Sequence, residues 1–217
     1  MHDYQSSFLK LALQNEVLKF GSFTLKSGRV SPYFFNLGKI SGGAAMRELG
    51  RAYAQALAAS GLEYDMLFGP AYKGIPLVTA AAVALADPAA GSGGRDVPYA
   101  YNRKEAKDHG EGGVLVGAPP KGRVVIVDDV LTAGTALREA IGLLRAAGAS
   151  PVAAVIALDR QEKGPSGRSA VQEIEDSEGL RIVPLVTVKD LLGYLVQQSA
   201  SDATVESIRA YQARYGV

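Results

Sequence analysis

The strongest indication of a functional site in this sequence is a pair of adjacent carboxylates at the end of an apolar run. Residues 124–127 are Val-Val-Ile-Val, and Asp128 and Asp129 follow them directly. A β-branched run of this kind is typical of a buried strand in a parallel sheet, and open α/β sheets bind ligands beyond the carboxyl ends of their strands. We therefore expect both acids at the mouth of a site, where paired carboxylates can hold vicinal sugar hydroxyls or a metal ion.

A short turn after these acids has the composition of a phosphate site. Thr132, Gly134 and Thr135 lead into a helical pattern over residues 136–144. The main-chain N–H groups of a helix N-terminus, two hydroxyls and a glycine that allows close approach can converge on one phosphate. A lone Asp at a strand end often only caps the next helix, but the second acid and this turn favour a site for a phosphorylated sugar.

The other glycine-containing segments fit phosphate binding less well. The sequence contains no G-x-x-x-x-G-K-[ST] and no G-x-G-x-x-G after a strand. Residues 91–94 are Gly-Ser-Gly-Gly within the Ala/Gly-rich segment 87–96, which indicates a surface loop rather than a phosphate-binding loop.

The composition is that of one ordinary folded core. Of 217 residues, 47% are hydrophobic, and 23 basic against 22 acidic side chains give a formal net charge of +1. We expect a single domain over residues 1–217, no binding of nucleic acid and no membrane span, since no apolar run approaches about 20 residues. There is no cysteine, and no basic region precedes an apolar core at the start, so a cytoplasmic location is expected.

Helical and strand patterns alternate along the chain, as a parallel sheet with crossover helices requires. The expected fold class is α/β, with a central parallel sheet flanked by helices and a small hood formed mainly by residues 1–40 and the C-terminal part. Ser41 is a candidate N-cap of the second helix, and Thr187 with Asp190 resembles a capping box. Besides the strand and helix described above, the expected elements are a helix within residues 1–15, a hairpin over 20–37, helices over 41–59 and 75–86, strands over 64–68, 98–101, 152–158 and 181–186, and a long polar connection over 102–120.

Residues 124–136 resemble the phosphoribosyl diphosphate (PRPP) signature of the type I phosphoribosyltransferases. Segments 23–36, 68–76 and 101–113 each resemble orotate phosphoribosyltransferase, and they follow one another in the order of that family. The resemblance implies the type I phosphoribosyltransferase fold. It also implies transfer of the 5-phosphoribosyl group from PRPP to orotate, which gives orotidine 5'-phosphate and diphosphate in pyrimidine (UMP) biosynthesis.

The resemblance further implies a PRPP site built from separate parts of the chain. Asp128 and Asp129 would meet the ribose hydroxyls, and residues 132–136 would surround the 5-phosphate. Tyr72 and Lys73 would serve the diphosphate, and in similar enzymes a cis peptide bond precedes this tyrosine. Without the resemblance, Lys73 would be interpreted as a solvated surface lysine. The PRPP-binding residues expected in this way are Lys26, Tyr72, Lys73, Arg103, Lys104, Lys107, His109, Asp128, Asp129, Val130, Leu131, Thr132, Ala133, Gly134, Thr135 and Ala136.

A planar base with a carboxylate needs a different set of residues. Phe34 and Phe35 could place main chain and a ring face against the base, and the guanidinium of Arg160 offers two N–H groups for the carboxylate. On residue type alone, core packing of the phenylalanines and a salt bridge of Arg160 with Asp159 or Glu162 are the simpler interpretations. The orotate-binding residues that the resemblance implies are Lys26, Phe34, Phe35, Thr132 and Arg160.

Loss of diphosphate from the sugar builds positive charge at C1, so protein groups serve best as electrostatic stabilisers. Orotate supplies its own ring nitrogen as nucleophile. Mg2+ is the expected cofactor, held mainly through PRPP, with Asp128 and Asp129 as the candidate protein ligands. His109 could act as a general acid or hydrogen-bond donor. The catalytic residues that the resemblance implies are Lys26, Lys107, His109, Asp128 and Asp129.

The basic residues within segment 102–120 suggest how subunits could cooperate. On composition alone, a mixed-charge loop is usually just solvated. In orotate phosphoribosyltransferases this loop closes over PRPP in the partner subunit's site and shuts out water. The resemblance therefore implies a homodimer in which loop 102–120 is shared across the interface.

Other functions stay open at this point. A regulator could sense PRPP while binding DNA, but no basic helix-turn-helix precedes residue 20. A phosphate-binding receiver-type domain could place two acids at a strand end, yet it would carry them near its first strand. Within the enzyme class, a phosphoribosyltransferase for another purine or pyrimidine base is the main alternative, and Phe34, Phe35 and Arg160 argue against it.

Overall fold

The computed structural model describes residues 1–25, 27–91, 93–107, 113–132 and 134–217, without the side chains of Ala106 and Lys107. Within these ranges, no helix combines the length and the apolar character needed to cross a membrane. The helices are α1 (Asp3–Gln14), α2 (Gly43–Ala59), α3 (Gly74–Ala86), α4 (Thr135–Ala146), α5 (Ala170–Glu178), α6 (Val188–Gln197) and α7 (Asp202–Tyr215). The strands are β1 (Leu18–Thr24), β2 (Val30–Phe35), β3 (Met66–Gly69), β4 (Tyr99–Lys107), β5 (Gly113–Gly117), β6 (Arg123–Val130), β7 (Ser150–Asp159) and β8 (Arg181–Thr187).

A six-stranded sheet in the order β5-β4-β3-β6-β7-β8 forms the centre of the fold. Neighbouring strands are parallel except for β4 and β5, which are antiparallel. All of β3 and residues 124–127 of β6 are buried, as expected for strands covered on both faces. The expectation of a central, mostly parallel sheet flanked by helices is confirmed.

Two apolar clusters cover the faces of this sheet. The larger contains buried side chains of α1, α2, α3 and α6 together with Val125 and Val127. The smaller contains those of α4 and α5 together with Val124 and Ile126. Because side chains alternate across a strand, successive residues of β6 enter different clusters. Packing on both faces therefore fixes β6 and the acids at its carboxyl end.

The hairpin β1–β2 forms a separate two-stranded antiparallel sheet. Tyr33 of β2 is fully buried, and its ring centroid lies 6.4 Å from that of Tyr211 in α7. The hairpin expected over residues 20–37 is confirmed, and it packs against the C-terminal helix.

Segment 102–120 is not the irregular connection expected. β4 continues to Lys107, and β5 pairs with β4 so that Tyr101 lies opposite Val116. The apolar run around Val116 favours a strand, and the polar composition of its surroundings obscured this signal. The expectation is therefore wrong for the described ends of the segment, whereas residues 108–112 lie outside the described part.

The start of the second helix also differs from the expectation. Gly42, not Ser41, is the N-cap residue of α2, and no described side chain caps this helix. Ser41 lies one residue too early to act as the cap. The capping box at the start of α6 is confirmed, because Thr187 N donates to Asp190 Oδ2 at 2.8 Å and Asp190 N donates to Thr187 Oγ1 at 3.2 Å.

Helices α2 and α3 approach closely at Gly50, where an added Cβ atom would lie 2.4 Å from the carbonyl oxygen of Ala80. We predict that Gly50→Ala lowers the free energy of unfolding by about 1–3 kcal/mol, because a helix backbone must shift. The matched control is Gly142→Ala in α4, where an added Cβ atom meets nothing within 4 Å and a gain of about 0.5–1 kcal/mol is expected. Urea denaturation measures both, and equal effects would contradict the close approach.

Candidate active site

The sheet order brings the ends of four strands to one edge. β3 pairs in parallel with β4 on one side and with β6 on the other, and Gly69 lies opposite Tyr101. β7 pairs in parallel with β6, and Val130 lies opposite Leu158. The turn after β3, the second half of β4, the acids of β6 and Arg160 after β7 therefore share the carboxyl edge, where open α/β sheets bind ligands.

The carboxylates of Asp128 and Asp129 are held by neighbouring main chain and by one lysine. Asp128 Oδ1 accepts a 2.8 Å hydrogen bond from Asp129 N, and Asp129 Oδ1 accepts one of 2.8 Å from Val130 N. Asp129 Oδ2 lies 2.5 Å from Lys73 Nζ. Lys73 is thus an ion-pair partner rather than only a solvated lysine, and the pair joins the turn after β3 to the acids of β6.

The Asp128 carboxyl is a weak acid in this setting. Burial raises its pKa, and the neighbouring Asp129 carboxylate raises it further, whereas the hydrogen bond from Asp129 N and the charge of Lys73 lower it; the resulting pKa is about 7. A carboxyl with such a pKa changes its charge close to neutral pH. The net charge of the acid pair therefore depends on pH close to neutrality.

Tyr53 of α2 fixes the main chain beneath the acids. Its side chain is fully buried, and its hydroxyl donates a 2.7 Å hydrogen bond to the main-chain carbonyl of Asp128. Leaving such a buried group without a partner costs on the order of 1–3 kcal/mol. Sequence reasoning missed Tyr53, because a tyrosine among apolar helix residues gives no signal for a contact with a distant strand.

The turn after β3 is held by β4. The peptide bond between Ala71 and Tyr72 is cis, as the resemblance implied. Ala71 N donates a 2.9 Å hydrogen bond to Asn102 Oδ1, and Asn102 Nδ2 donates one of 3.2 Å to the carbonyl of Arg103. Lys104 Nζ lies 5.7 Å from the ring centroid of Tyr72, which is exposed. The structure thus brings these predicted PRPP residues together through Asn102, a residue that sequence reasoning did not single out.

The described part of the turn between β6 and α4 leaves the start of the helix uncapped. Gly134 is the N-cap residue of α4 with a left-handed φ of +73°, and a Cβ atom there would lie 3.0 Å from Ile174. No described side chain caps the helix, so the N–H groups of its first turn suit an anionic ligand. Around this turn Thr132, Thr135 and Ala136 are exposed, and Val130 and Leu131 are half-buried.

Arg160 lies after β7 in a network with the hairpin. Its Nε and Nη2 lie 2.7 and 2.6 Å from Glu162 Oε1, and Nη2 also donates to Ser31 Oγ at 3.0 Å. Its guanidinium carbon lies 4.2 Å from the ring centroid of Tyr33. The salt bridge with Glu162, one of the simpler interpretations, is therefore present, and the same contacts fix the guanidinium at the carboxyl edge.

The two phenylalanines of β2 have different surroundings. Phe35 is half-buried against the larger apolar cluster, with its ring centroid 6.4 Å from that of Phe8. Phe34 is 39% exposed, and its ring centroid lies 5.5 Å from that of Phe23. Core packing therefore accounts for Phe35, whereas Phe34 presents part of its ring to the outside.

Four predicted site residues are described in part or not at all. Lys26, Ala133 and His109 lie outside the described residues, and only the main chain of Lys107, at the end of β4, is described. Their expected roles stay predictions.

The described residues offer a partial donor set for a metal ion. They contain no group of three or more His, Cys, Asp or Glu side chains that could hold one. Asp128 and Asp129 supply the hard oxygens that Mg2+ prefers, although three of their four carboxylate oxygens already contact an N–H group or Lys73. The acids therefore fit an ion whose other ligands come from a bound substrate.

The fold and this edge define a phosphoribosyltransferase. A model of the phosphoribosyl transferase domain matches residues 41–179. That range includes the turn after β3, the second half of β4, the acids of β6 and Arg160.

Comparison with individual proteins identifies the family within this class of enzymes. The chain is 55% identical over 217 residues to the orotate phosphoribosyltransferases of Cellvibrio japonicus and Thioalkalivibrio sulfidiphilus, and the matches cover 100% of this chain and 99% and 100% of those proteins. The crystal structure of orotate phosphoribosyltransferase from Francisella tularensis matches with a TM-score of 0.86 at 40% identity, over 97% of this chain and 99% of that one. The chain belongs to the orotate phosphoribosyltransferase family.

The pKa of Asp128 implies a pH dependence of stability. In the folded protein it is about 7, above the ordinary value of 3.8, so between these values the folded state binds a proton that the unfolded chain has lost. The stability of the wild-type protein therefore decreases, at this residue, as pH rises through that interval.

We predict that Asp128→Asn, which cannot ionise, gains stability relative to the wild type by roughly 1–3 kcal/mol between about pH 5 and about pH 8. Urea denaturation without ligands measures the difference. Glu139→Gln changes an exposed carboxylate of α4 and controls for the loss of one acid. A difference between Asp128→Asn and wild type that stays constant over this pH range would contradict the raised pKa.

Proposed function

We propose that the shared carboxyl edge of β4, β3, β6 and β7 is the place where this protein transfers the 5-phosphoribosyl group from PRPP to orotate. The reaction gives orotidine 5'-phosphate and diphosphate in de novo pyrimidine (UMP) biosynthesis, and it is the reaction of the family to which the chain belongs. The observation that carries the assignment of the edge is the 2.5 Å pair of Lys73 and Asp129. It joins the turn suited to a diphosphate to the acids suited to a ribose.

PRPP binds across these two elements. Asp128 and Asp129 accept hydrogen bonds from the ribose 2- and 3-hydroxyls, and the start of α4 with Thr132 and Thr135 binds the 5-phosphate. On binding, Lys73 turns from Asp129 to the diphosphate, and Tyr72, Arg103 and Lys104 are the further residues proposed to contact it. The wider PRPP set, including Val130, Leu131, Ala133, Gly134 and Ala136, is proposed on the same grounds.

The chemistry separates charge rather than requiring a protein nucleophile. The ring nitrogen of orotate attacks C1 as the bond to diphosphate breaks, so positive charge develops on the sugar and negative charge on the leaving group. The acids of β6 lie beside the sugar. Lys26, Lys107 and His109 are the groups proposed to stabilise the leaving diphosphate and to donate hydrogen bonds to it.

The cofactor proposed for this reaction is Mg2+. It would be held mainly by oxygens of PRPP, with Asp128 and Asp129 as candidate protein ligands, because they supply hard oxygens but not a complete site. When bound, the ion neutralises charge on the diphosphate and so favours its departure.

Orotate lies between the hairpin and the end of β7. The exposed part of the Phe34 ring offers a flat apolar surface, with Phe35, Lys26 and Thr132 as further proposed contacts. Arg160, fixed by Glu162 and Ser31, supplies positive charge for the carboxylate. The contacts between the hairpin and the segment after β7 support a base site next to the proposed sugar site on β6.

The proposed active unit is a homodimer in the cytoplasm, in which residues 1–217 form one phosphoribosyltransferase domain. The ribbon of β4 and β5 supports the sharing of residues 102–120, because it lies at the edge of the sheet order. Cations near its tip could reach a neighbouring subunit, where a closing loop would exclude water from the departing diphosphate.

We predict that orotate alone, among orotate, uracil, adenine and hypoxanthine, is consumed with PRPP and Mg2+. Arg160→Ala should raise the KM for orotate at least about tenfold and change the KM for PRPP little, because it removes one charge-assisted contact with the carboxylate. Spectrophotometric assays measure both constants. If another base is consumed instead, the protein is a phosphoribosyltransferase of different specificity. If the protein binds PRPP tightly but consumes none of the four bases, a regulator is favoured.

We predict that Lys107 acts in the partner subunit's site. Lys107→Ala should lower turnover roughly a hundredfold to a thousandfold, by analogy with loss of an oxyanion donor, and Asp128→Asn/Asp129→Asn should be inactive through its own sugar site. A mixture of the two variants should regain activity, since a heterodimer contains one intact site. If labelled subunits exchange and the mixture remains inactive, the loop acts within its own chain.

A further inference from the structure

Three charged side chains of alternating sign connect the hairpin to the loop after β7. The Glu162 carboxylate lies between two guanidinium groups, because its Oε1 contacts Arg160 and its Oε2 lies 3.6 Å from Arg29 Nη1. The side chains of Arg29, Glu162 and Arg160 are 26%, 14% and 16% exposed. Water therefore screens these charges only weakly, and their balance matters for any ion that binds beside them.

Arg29 is fixed in this triad by uncharged partners. Its Nη2 donates a 2.8 Å hydrogen bond to the main-chain carbonyl of Lys163, and its guanidinium carbon lies 4.8 Å from the ring centroid of Tyr215 at the end of α7. Glu162 also forms a β-bridge with Gly216. The C-terminal residues thus hold both the cation and the carboxylate in place.

The balance of charge within the triad affects how strongly Arg160 attracts an anion, beside the Asp159 carboxylate, whose charge also reaches Tyr33. Glu162 and Arg160 alone form a neutral pair, so a carboxylate brought beside them would face as much negative as positive charge. With Arg29 the triad has a net charge of +1. Glu162 can then orient Arg160 through one hydrogen bond from Nε and one ion-pair contact with Nη2, without cancelling the charge that Arg160 offers.

We propose that Arg29 is a specificity-determining positioning residue, which neutralises Glu162 so that Arg160 keeps its positive charge for the carboxylate of the base. The proposal rests on the assignment of Arg160 to orotate made above. In this proposal Arg29 acts through Glu162, with which it forms an ion pair, and not by direct contact with the base.

Steady-state kinetics test this role. Arg29→Gln should raise the KM for orotate roughly tenfold while the KM for PRPP and kcat change less than about twofold, because only attraction of the carboxylate is weakened. Arg29→Lys keeps the charge and should remain within about threefold of wild type in the KM for orotate. Lys163→Gln removes an exposed cation from the same segment and should leave all three constants unchanged.

The double variant Arg29→Gln/Glu162→Gln separates charge balance from structural support. It removes the uncompensated carboxylate, so its KM for orotate should be at least about threefold lower than that of Arg29→Gln. A double variant that binds orotate as weakly as Arg29→Gln, or more weakly, would overturn the proposal. Arg29→Met, which keeps the apolar stem against Tyr215, repeats the measurement if the glutamine variant does not fold by circular dichroism.

Arg160→Ala separates the role of Arg160 in binding orotate from the role of Arg29. If it leaves the KM for orotate unchanged, the assignment of the carboxylate to Arg160 is wrong. If it raises that KM and Arg29→Gln does not, the orotate site stands and the role of Arg29 is wrong.

Discussion

The parallel pairing of β3, β6 and β7 is the constraint on which the site depends. Val125 and Val127 enter one apolar cluster while Val124 and Ile126 enter the other, so β6 is anchored on both faces. A slip of β6 by one residue would exchange the two faces and expose each side chain to the wrong cluster. The same anchoring therefore determines where the two acids emerge, and the polar residues that follow neighbouring strands meet them at one edge.

The charges at this edge fall into two groups of opposite sign. Asp128, Asp129 and Lys73 sum to −1 when both acids are ionised, and the Arg29–Glu162–Arg160 triad sums to +1. The first group suits a sugar carbon on which positive charge develops, and the second suits an anionic base. Because the pKa of Asp128 is about 7, its protonation near neutral pH changes the charge of the first group.

Short sequence patterns predicted those elements whose structure depends mainly on neighbouring residues in the chain. The β-branched run before Asp128, the glycine of the turn before α4 and the capping box at Thr187 each appear where the sequence places them. Tyr53, Asn102 and Arg29 could not be predicted as site residues, because their roles depend on contacts with segments 31 to 134 residues away. The ribbon of β4 and β5 was missed for a related reason, since its pairing outweighs a polar composition that favours an irregular loop.

The two ion pairs of the site differ in how readily a substrate can break them. The Lys73 side chain is 55% exposed, whereas that of Asp129 is only 10% exposed. Lys73 is therefore free to turn toward a diphosphate, provided that the buried Asp129 carboxylate gains another partner such as a ribose hydroxyl. The side chains of Arg160 and Glu162 are only 16% and 14% exposed, so both ends of this pair are largely shielded from water and the pair is harder to separate. We therefore expect the sugar side of the site to rearrange when PRPP binds, whereas the base side is already in place.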